Sequence, residues 1–223
     1  MLEPIILIHV PKTCGTALRR ALQQRLGSER VVCAYPAEEP VTSQIVRDTI
    51  HSGRPEDLSG AMADAHALVF TGHFSYQQYA ALLQDFSSHW CVFFRDPVQR
   101  LLSEHAHRRR HQGMEMSLED FVSDPRYANL QHRFTRGLDL EAFAFIGISE
   151  RYGESLALFA ERFGVDVDNI EENVARSDLS AAHPCSTELR QLIVQHNALD
   201  MALYEKASRL FEARAKARLP AAR

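Results

Sequence analysis

The chain has 223 residues, 45% of them hydrophobic and 24% charged. That balance suits a globular protein with a substantial core and excludes a chain kept disordered by charge. A formal net charge of −4 and a pI near 6.3 argue against a general nucleic-acid binder, which would be basic overall, while leaving room for a local basic site. The four cysteines, Cys14, Cys33, Cys91 and Cys185, show no CxxC or metal-like spacing and read as free thiols.

The opening residues lack the basic start and long apolar run of a secretory leader. No later run approaches the roughly 20 apolar residues of a membrane span. The expectation is therefore a cytoplasmic protein with one domain, residues 1–223. Residues 5–10, Ile-Ile-Leu-Ile-His-Val, read as a buried strand. A helix over 16–26 follows, with Ala17, Leu18, Ala21, Leu22 and Leu26 on one stripe and Gly27 placed to end it. Val31–Cys33 reads as a short strand. Residues 36–65 carry Pro, Gly, Ser and acidic residues and are the least legible part, with a short helix expected around Ile45–Ile50. A strand at 67–71, a helix near 76–86 and a strand at 90–94 come next. Asp96-Pro97 offers an N-cap and a first-turn proline for a further helix. Phe143–Ile148 reads as a strand, Glu150–Phe163 as a helix, and Ser186–Arg218 as one long final helix. Short apolar strands separated by amphipathic helices predict an α/β fold: three layers, with a central, mostly parallel sheet flanked by helices.

Between the first strand and helix lies Pro-Lys-Thr-Cys-Gly-Thr, residues 11–16. Unpaired backbone N–H groups at a helix start, the helix dipole and a lysine make such a turn a cradle for phosphate or sulfate. An ordinary βα turn with a surface lysine is the plainer alternative. The loop is not a Walker A motif, because Lys12 stands at its beginning instead of its end. Asp96, the best candidate for a strand-end Mg²⁺ ligand, is more simply a helix cap, which disfavours a Mg-dependent kinase or NTPase. The second strand-to-helix passage, Phe-Phe-Arg-Asp-Pro-Val-Gln-Arg-Leu-Leu-Ser at 93–103, ends its strand on Arg95. A guanidinium there suits a phosphate dianion or, equally, a surface ion pair. Ser103 lies off the apolar stripe of Val98, Leu101 and Leu102, so it is not simple core filler.

Together these two segments resemble those of sulfotransferases that use 3′-phosphoadenosine-5′-phosphosulfate (PAPS). The first looks like the 5′-phosphosulfate loop and the second like the 3′-phosphate motif. Thr-Gly-His-Phe at 71–74, Asn-Leu-Gln-His-Arg-Phe at 129–134, Phe-Ile-Gly-Ile-Ser-Glu-Arg-Tyr at 145–152 and the segment 188–204 extend the likeness, in order, towards the heparan and uronyl 2-O-sulfotransferases. The resemblance implies a P-loop-like fold and transfer of a sulfuryl group from PAPS to a hydroxyl of a carbohydrate or glycoconjugate, anionic glycans included. A P-loop-like nucleotide kinase and a non-catalytic nucleotide-binding relative are the alternatives. It further implies that Lys12, Thr13, Cys14, Gly15, Thr16 and Ala17 hold the 5′-phosphosulfate, with Lys12 stabilising the leaving oxygen. Arg95 and Ser103 would hold the 3′-phosphate, no metal would be needed, and adenosine 3′,5′-bisphosphate (PAP) would be the product. Cys14 departs from the glycine or serine usual at its position.

His73 follows an apolar strand and, in its Gly-His context, is the implied general base; a structural histidine is the plain alternative. His105, His107 and His111 sit among arginines that would repel a metal, so their run reads as a basic helix end, either solvated or facing an anionic glycan. His196 and Asp200, one turn apart on an apolar face, read as a buried pair bonded to each other sooner than as a catalytic dyad. Arg133 and Arg136 are candidates to face the acceptor. Asn173–Ser180, with Arg176, is a candidate to close over the adenosine.

Overall fold

The computed structural model describes residues 3–87, 89–167 and 183–218. Among them, five strands form one parallel sheet: β1 (Ile5–Ile8), β2 (Val31–Ala34), β3 (Val69–Gly72), β4 (Trp90–Phe94) and β5 (Phe145–Ile148), in the order β2-β3-β1-β4-β5. Parallel strands covered on both faces should be apolar at every position. All five are buried throughout.

Side-chain alternation divides the core into two layers. Ile5, Leu7, Val31, Phe93 and Phe145 point to one face, where they meet Leu18 and Leu22 of α1 (Gly15–Leu26) and Phe159 of the helix Tyr152–Phe163. On the other face Ile6, Ile8, Phe70, Phe94 and Ile146 meet Leu58 and Met62 of a helix over Leu58–Asp64, and Ala207 and Phe211 of the C-terminal helix Ala198–Arg218. In chain order the helices are α1, α2 (Gln44–Asp48), α3 (Leu58–Asp64), α4 (Tyr76–Tyr79), α5 (Pro97–Gln112), α6 (Leu118–Ser123), α7 (Leu130–Thr135), α8 (Tyr152–Phe163), α9 (Thr187–His196) and α10 (Ala198–Arg218). The expected α/β fold with a parallel central sheet is the observed one.

A third, smaller core packs α5, α6 and α9 through Leu101, Phe121 and Ile193, beyond the C-terminal ends of the strands. It anchors α5 beside those ends. Asp96 caps α5 as expected, its carboxylate accepting from Gln99 N–H at 2.9 Å, with Pro97 in the first turn. Among the described residues no helix is long and apolar enough to cross a membrane.

Two expected helices differ. The one near 76–86 is regular only over Tyr76–Tyr79, because the Ser59 hydroxyl takes the Leu82 carbonyl at 2.6 Å and the chain turns there to bury Leu83. The long C-terminal helix is divided at Asn197 into α9 and α10. The buried Asn197 amide turns back onto Ile193 O at 3.0 Å. It thereby competes with the helix ladder, as short polar side chains do.

Candidate active site

In the strand order, the connection leaving β1 runs to one side and that leaving β4 to the other. The crevice between their C-terminal ends is thus a topological switch point, where open α/β sheets bind ligands. The segment 9–16 fills it. Lys12 and Cys14 both adopt left-handed backbone conformations, φ 69° and 68°. Non-glycine residues take that conformation at a cost, so two in three positions mark a loop held in a special shape. Thr13 locks it by donating from Oγ1 to Val10 O at 2.8 Å. The first turn of α1 then begins at Gly15 with no side-chain cap and no acidic residue, leaving its N–H groups for an anion.

Gly15 has a specific steric reason: a Cβ there would lie 2.0 Å from Cδ2 of His9. Its close approach is thus to a buried imidazole of the protein itself. His9 Nδ1 lies 2.6 Å from the Tyr35 hydroxyl, and its ring meets His73 edge-on at a centroid distance of 4.6 Å. His73 also lies against Tyr35, 4.7 Å between ring centres.

His73 is delivered by the end of β3. A Cβ on Gly72 would fall 1.8 Å from Ala34 O, so only glycine lets β3 run this close to β2, and the next residue, His73, donates its N–H to that same carbonyl at 3.1 Å. Burial of its surroundings draws the His73 pKa from 6.5 down to about 4; Glu104 opposes that shift and Arg19 adds to it. The ring is nevertheless open to water in the cleft, which limits the effect, and neutral imidazole is its form at physiological pH. His9 is buried outright, and its pKa is driven well below the usual value by desolvation, then by His73, Arg19 and Lys12.

The cleft above these residues has a volume of about 440 Å³. Lys12 and Thr16 line it from the loop, Arg19 from the second turn of α1, and His107 and Arg108 from α5. Glu104, buried, binds Arg108 Nε at 2.6 Å. In a chain that is acidic overall, the fixed charges of this lining, Lys12, Arg19 and Arg108 against Glu39 and Glu104, leave a small positive excess, a balance that favours an anionic ligand.

Arg95 stands one residue past β4, 4% exposed, and its guanidinium donates to Lys12 O at 3.1 Å. This contact joins the two sequence segments across the β1–β4 crevice. Ser103 is buried in α5 beside the cleft-lining Glu104. The Cys14 thiol is buried and pushed up to about 11 by desolvation, so it is a packing group and no nucleophile. Ala17 packs towards the sheet.

Other candidates fall outside the cleft. His105 is buried against Phe121, with Nε2 3.0 Å from Met116 O. Arg133 bonds Arg126 O and Arg136 bonds Gln77, both exposed and away from the cavity lining. His196 and Asp200 are not partners: the Asp200 carboxylate binds backbone N–H groups of Gln131 and His132. Asn173–Ser180 and Arg176 lie outside the described residues. Sequence reasoning missed His9, Tyr35, Arg19 and Glu104. His9 was discoverable, since it closes an apolar strand just as His73 does.

No family model and no curated protein matches the chain. Among solved structures, mouse sulfotransferase SULT7A1 complexed with PAP matches with a TM-score of 0.51 over 91% of this chain and 88% of that one, at 11% sequence identity. At that identity the likeness establishes the fold, which is the P-loop-like α/β fold of that sulfotransferase.

Proposed function

We propose that the protein is a PAPS-dependent O-sulfotransferase acting on a carbohydrate or glycoconjugate hydroxyl. The observation that carries this reading is the convergence, at the ends of the adjacent strands β3, β1 and β4, of a neutral imidazole, a lysine-bearing anion loop and a buried arginine bonded to that loop. The shared fold with a PAP-bound sulfotransferase supports it.

In this reading the loop Lys12–Ala17 cradles the 5′-phosphosulfate, while Arg95 and Ser103 take the 3′-phosphate. The acceptor oxygen forms its bond to sulfur as the bond from sulfur to the phosphate oxygen breaks. Lys12 offsets the charge that gathers on the leaving phosphate, and PAP departs. His73 accepts the acceptor's proton. Its lowered pKa guarantees the unprotonated form but weakens the base; the donor's negative charge, with Glu104 nearby, raises its affinity for the proton as transfer proceeds. Arg19 and Arg108 in the cleft lining suit an acceptor that carries negative charge, with His107 beside them as a neutral hydrogen-bonding group. Four free thiols fit a reducing cytoplasm.

A nucleotide kinase is the second reading. Lys12 at the start of the loop and the use of Asp96 as a helix cap both weigh against it. Thermal melting separates the two. At about 100 times its dissociation constant PAP should stabilise the fold by about 2.7 kcal/mol, roughly 5–10 °C for a chain of this size. ATP with Mg²⁺ should do much less; equal stabilisation refutes the sulfotransferase reading, and [³⁵S]PAPS transfer to glycan fractions tests the chemistry directly.

A further inference from the structure

Two segments that the donor reading leaves without a task, 129–134 and 196–204, meet in the structure. Asn129 is held in a left-handed conformation, φ 50°. Its N–H donates to Asn197 Oδ1 at 2.9 Å and its side-chain amide to His196 O at 3.1 Å, while its Oδ1 accepts from Leu199 and Asp200 N–H at 2.9 and 3.1 Å. The fully buried Asp200 carboxylate returns the contact, accepting from Gln131 and His132 N–H at 3.1 and 2.7 Å. These bonds leave Gln131, itself fully buried, with one defined orientation.

Its carboxamide then meets the Arg95 backbone twice: Nε2 donates to Arg95 O at 2.9 Å and Oε1 accepts from Arg95 N–H at 2.9 Å. The β4–β5 ladder ends at Phe94 opposite Ile148. Past that point Gln131 supplies the donor and acceptor that a neighbouring strand no longer offers. Arg95 is therefore fixed at its backbone by Gln131 and at its guanidinium by the Lys12 carbonyl.

We propose that Gln131, held by Asn129 and Asp200, is the positioning residue that sets selectivity for a 3′-phosphorylated nucleotide, by fixing Arg95. This rests on Arg95 being the 3′-phosphate ligand. A residue with only a general structural role would weaken all nucleotides alike; one that aims Arg95 affects only those carrying the 3′-phosphate.

The test is calorimetric affinity for adenosine 3′,5′-bisphosphate and adenosine 5′-monophosphate, in the unaltered protein and in Gln131→Glu and Gln131→Met. Glutamate keeps the acceptor and loses the donor, and methionine loses both at similar volume. The unaltered protein should prefer the bisphosphate, and each folded variant should lose roughly tenfold or more of that preference. A ratio within twofold of the unaltered protein's, in either folded variant, overturns the inference. No preference in the unaltered protein overturns the donor reading itself, and this inference with it. The Gln131 side-chain amide resonance, which requires no variant, should shift on adding the bisphosphate and stay in place with the monophosphate; equal responses to the two also overturn the proposal.

Discussion

At the scale of single residues, the proposed reaction divides donor binding from proton transfer. His73→Ala should lower turnover by about 10²–10⁴ while PAP affinity stays close to that of the unaltered protein, because a base acts on the acceptor and not on the donor. Paired calorimetry and sulfate-transfer assays read the two effects; near-normal turnover would move the base elsewhere, with the cleft carboxylates Glu104 and Glu39 next in line. Lys12→Ala should harm both. Gly15→Ala drives a methyl into the His9 ring, a clash with a packed side chain, and should destabilise by about 1–3 kcal/mol, measurable by urea titration. His73 was legible in the sequence because a histidine after an apolar run and a glycine marks a strand end. The role of Gly15 was not: a glycine in a phosphate-type loop invites a ligand explanation, and only the folded loop shows His9 occupying the space.

At the scale of elements, the end of β3 couples stability to chemistry. Gly72→Ala would press on Ala34 O, the carbonyl that also receives the His73 N–H. It should cost about 1–3 kcal/mol and reduce turnover more than donor affinity, since the clash falls directly on the carbonyl that holds His73 and reaches the Lys12 loop only through the Gly72 O to His9 N–H bond. An unaltered ratio of turnover to affinity would show that His73 is positioned independently of β2. Strands and their order along the chain could be read in advance, because buried parallel strands leave continuous apolar runs. The C-terminal helix pair could not. His196 and Asp200 sit one turn apart, and proximity in sequence argued for a bond between them; the actual partners of Asp200 lie 68 and 69 positions away, a distance that helical periodicity does not encode. The short helices α6 and α7 were missed for a related reason: each is a turn or two, too short for a periodic pattern to emerge.

At the scale of the whole molecule, two histidines with lowered pKa values make the fold sensitive to mild acid. The unfolded chain takes up protons on both near pH 6.5; the folded protein does so on His73 only near 4 and on His9 well below its ordinary value. Between those limits the unfolded state binds more protons, so stability present above about 6.5 is lost as pH falls. Asp200, raised by burial, works in the opposite direction near its own lower range. Unfolding free energy should therefore decrease from pH 7.5 to 5.5, and His9→Gln should flatten that slope; an unchanged slope would assign the acid sensitivity to other groups. The fold class was legible from alternating strands and helices, and the turn between β1 and α1 from its Pro-Lys-Thr-Cys-Gly-Thr sequence, because both are local patterns. How Arg95 is held was hidden, because it depends on contacts between distant segments. Those contacts also set an order in time. The Lys12 loop and Arg95 leave the ribosome about a hundred residues or more before Asn197 and Asp200, the residues that orient Gln131. In the proposed role of Gln131, a nascent polypeptide that has not yet emerged as far as Asp200 already carries the phosphate loop but lacks the contacts that aim Arg95: selectivity follows the loop in time.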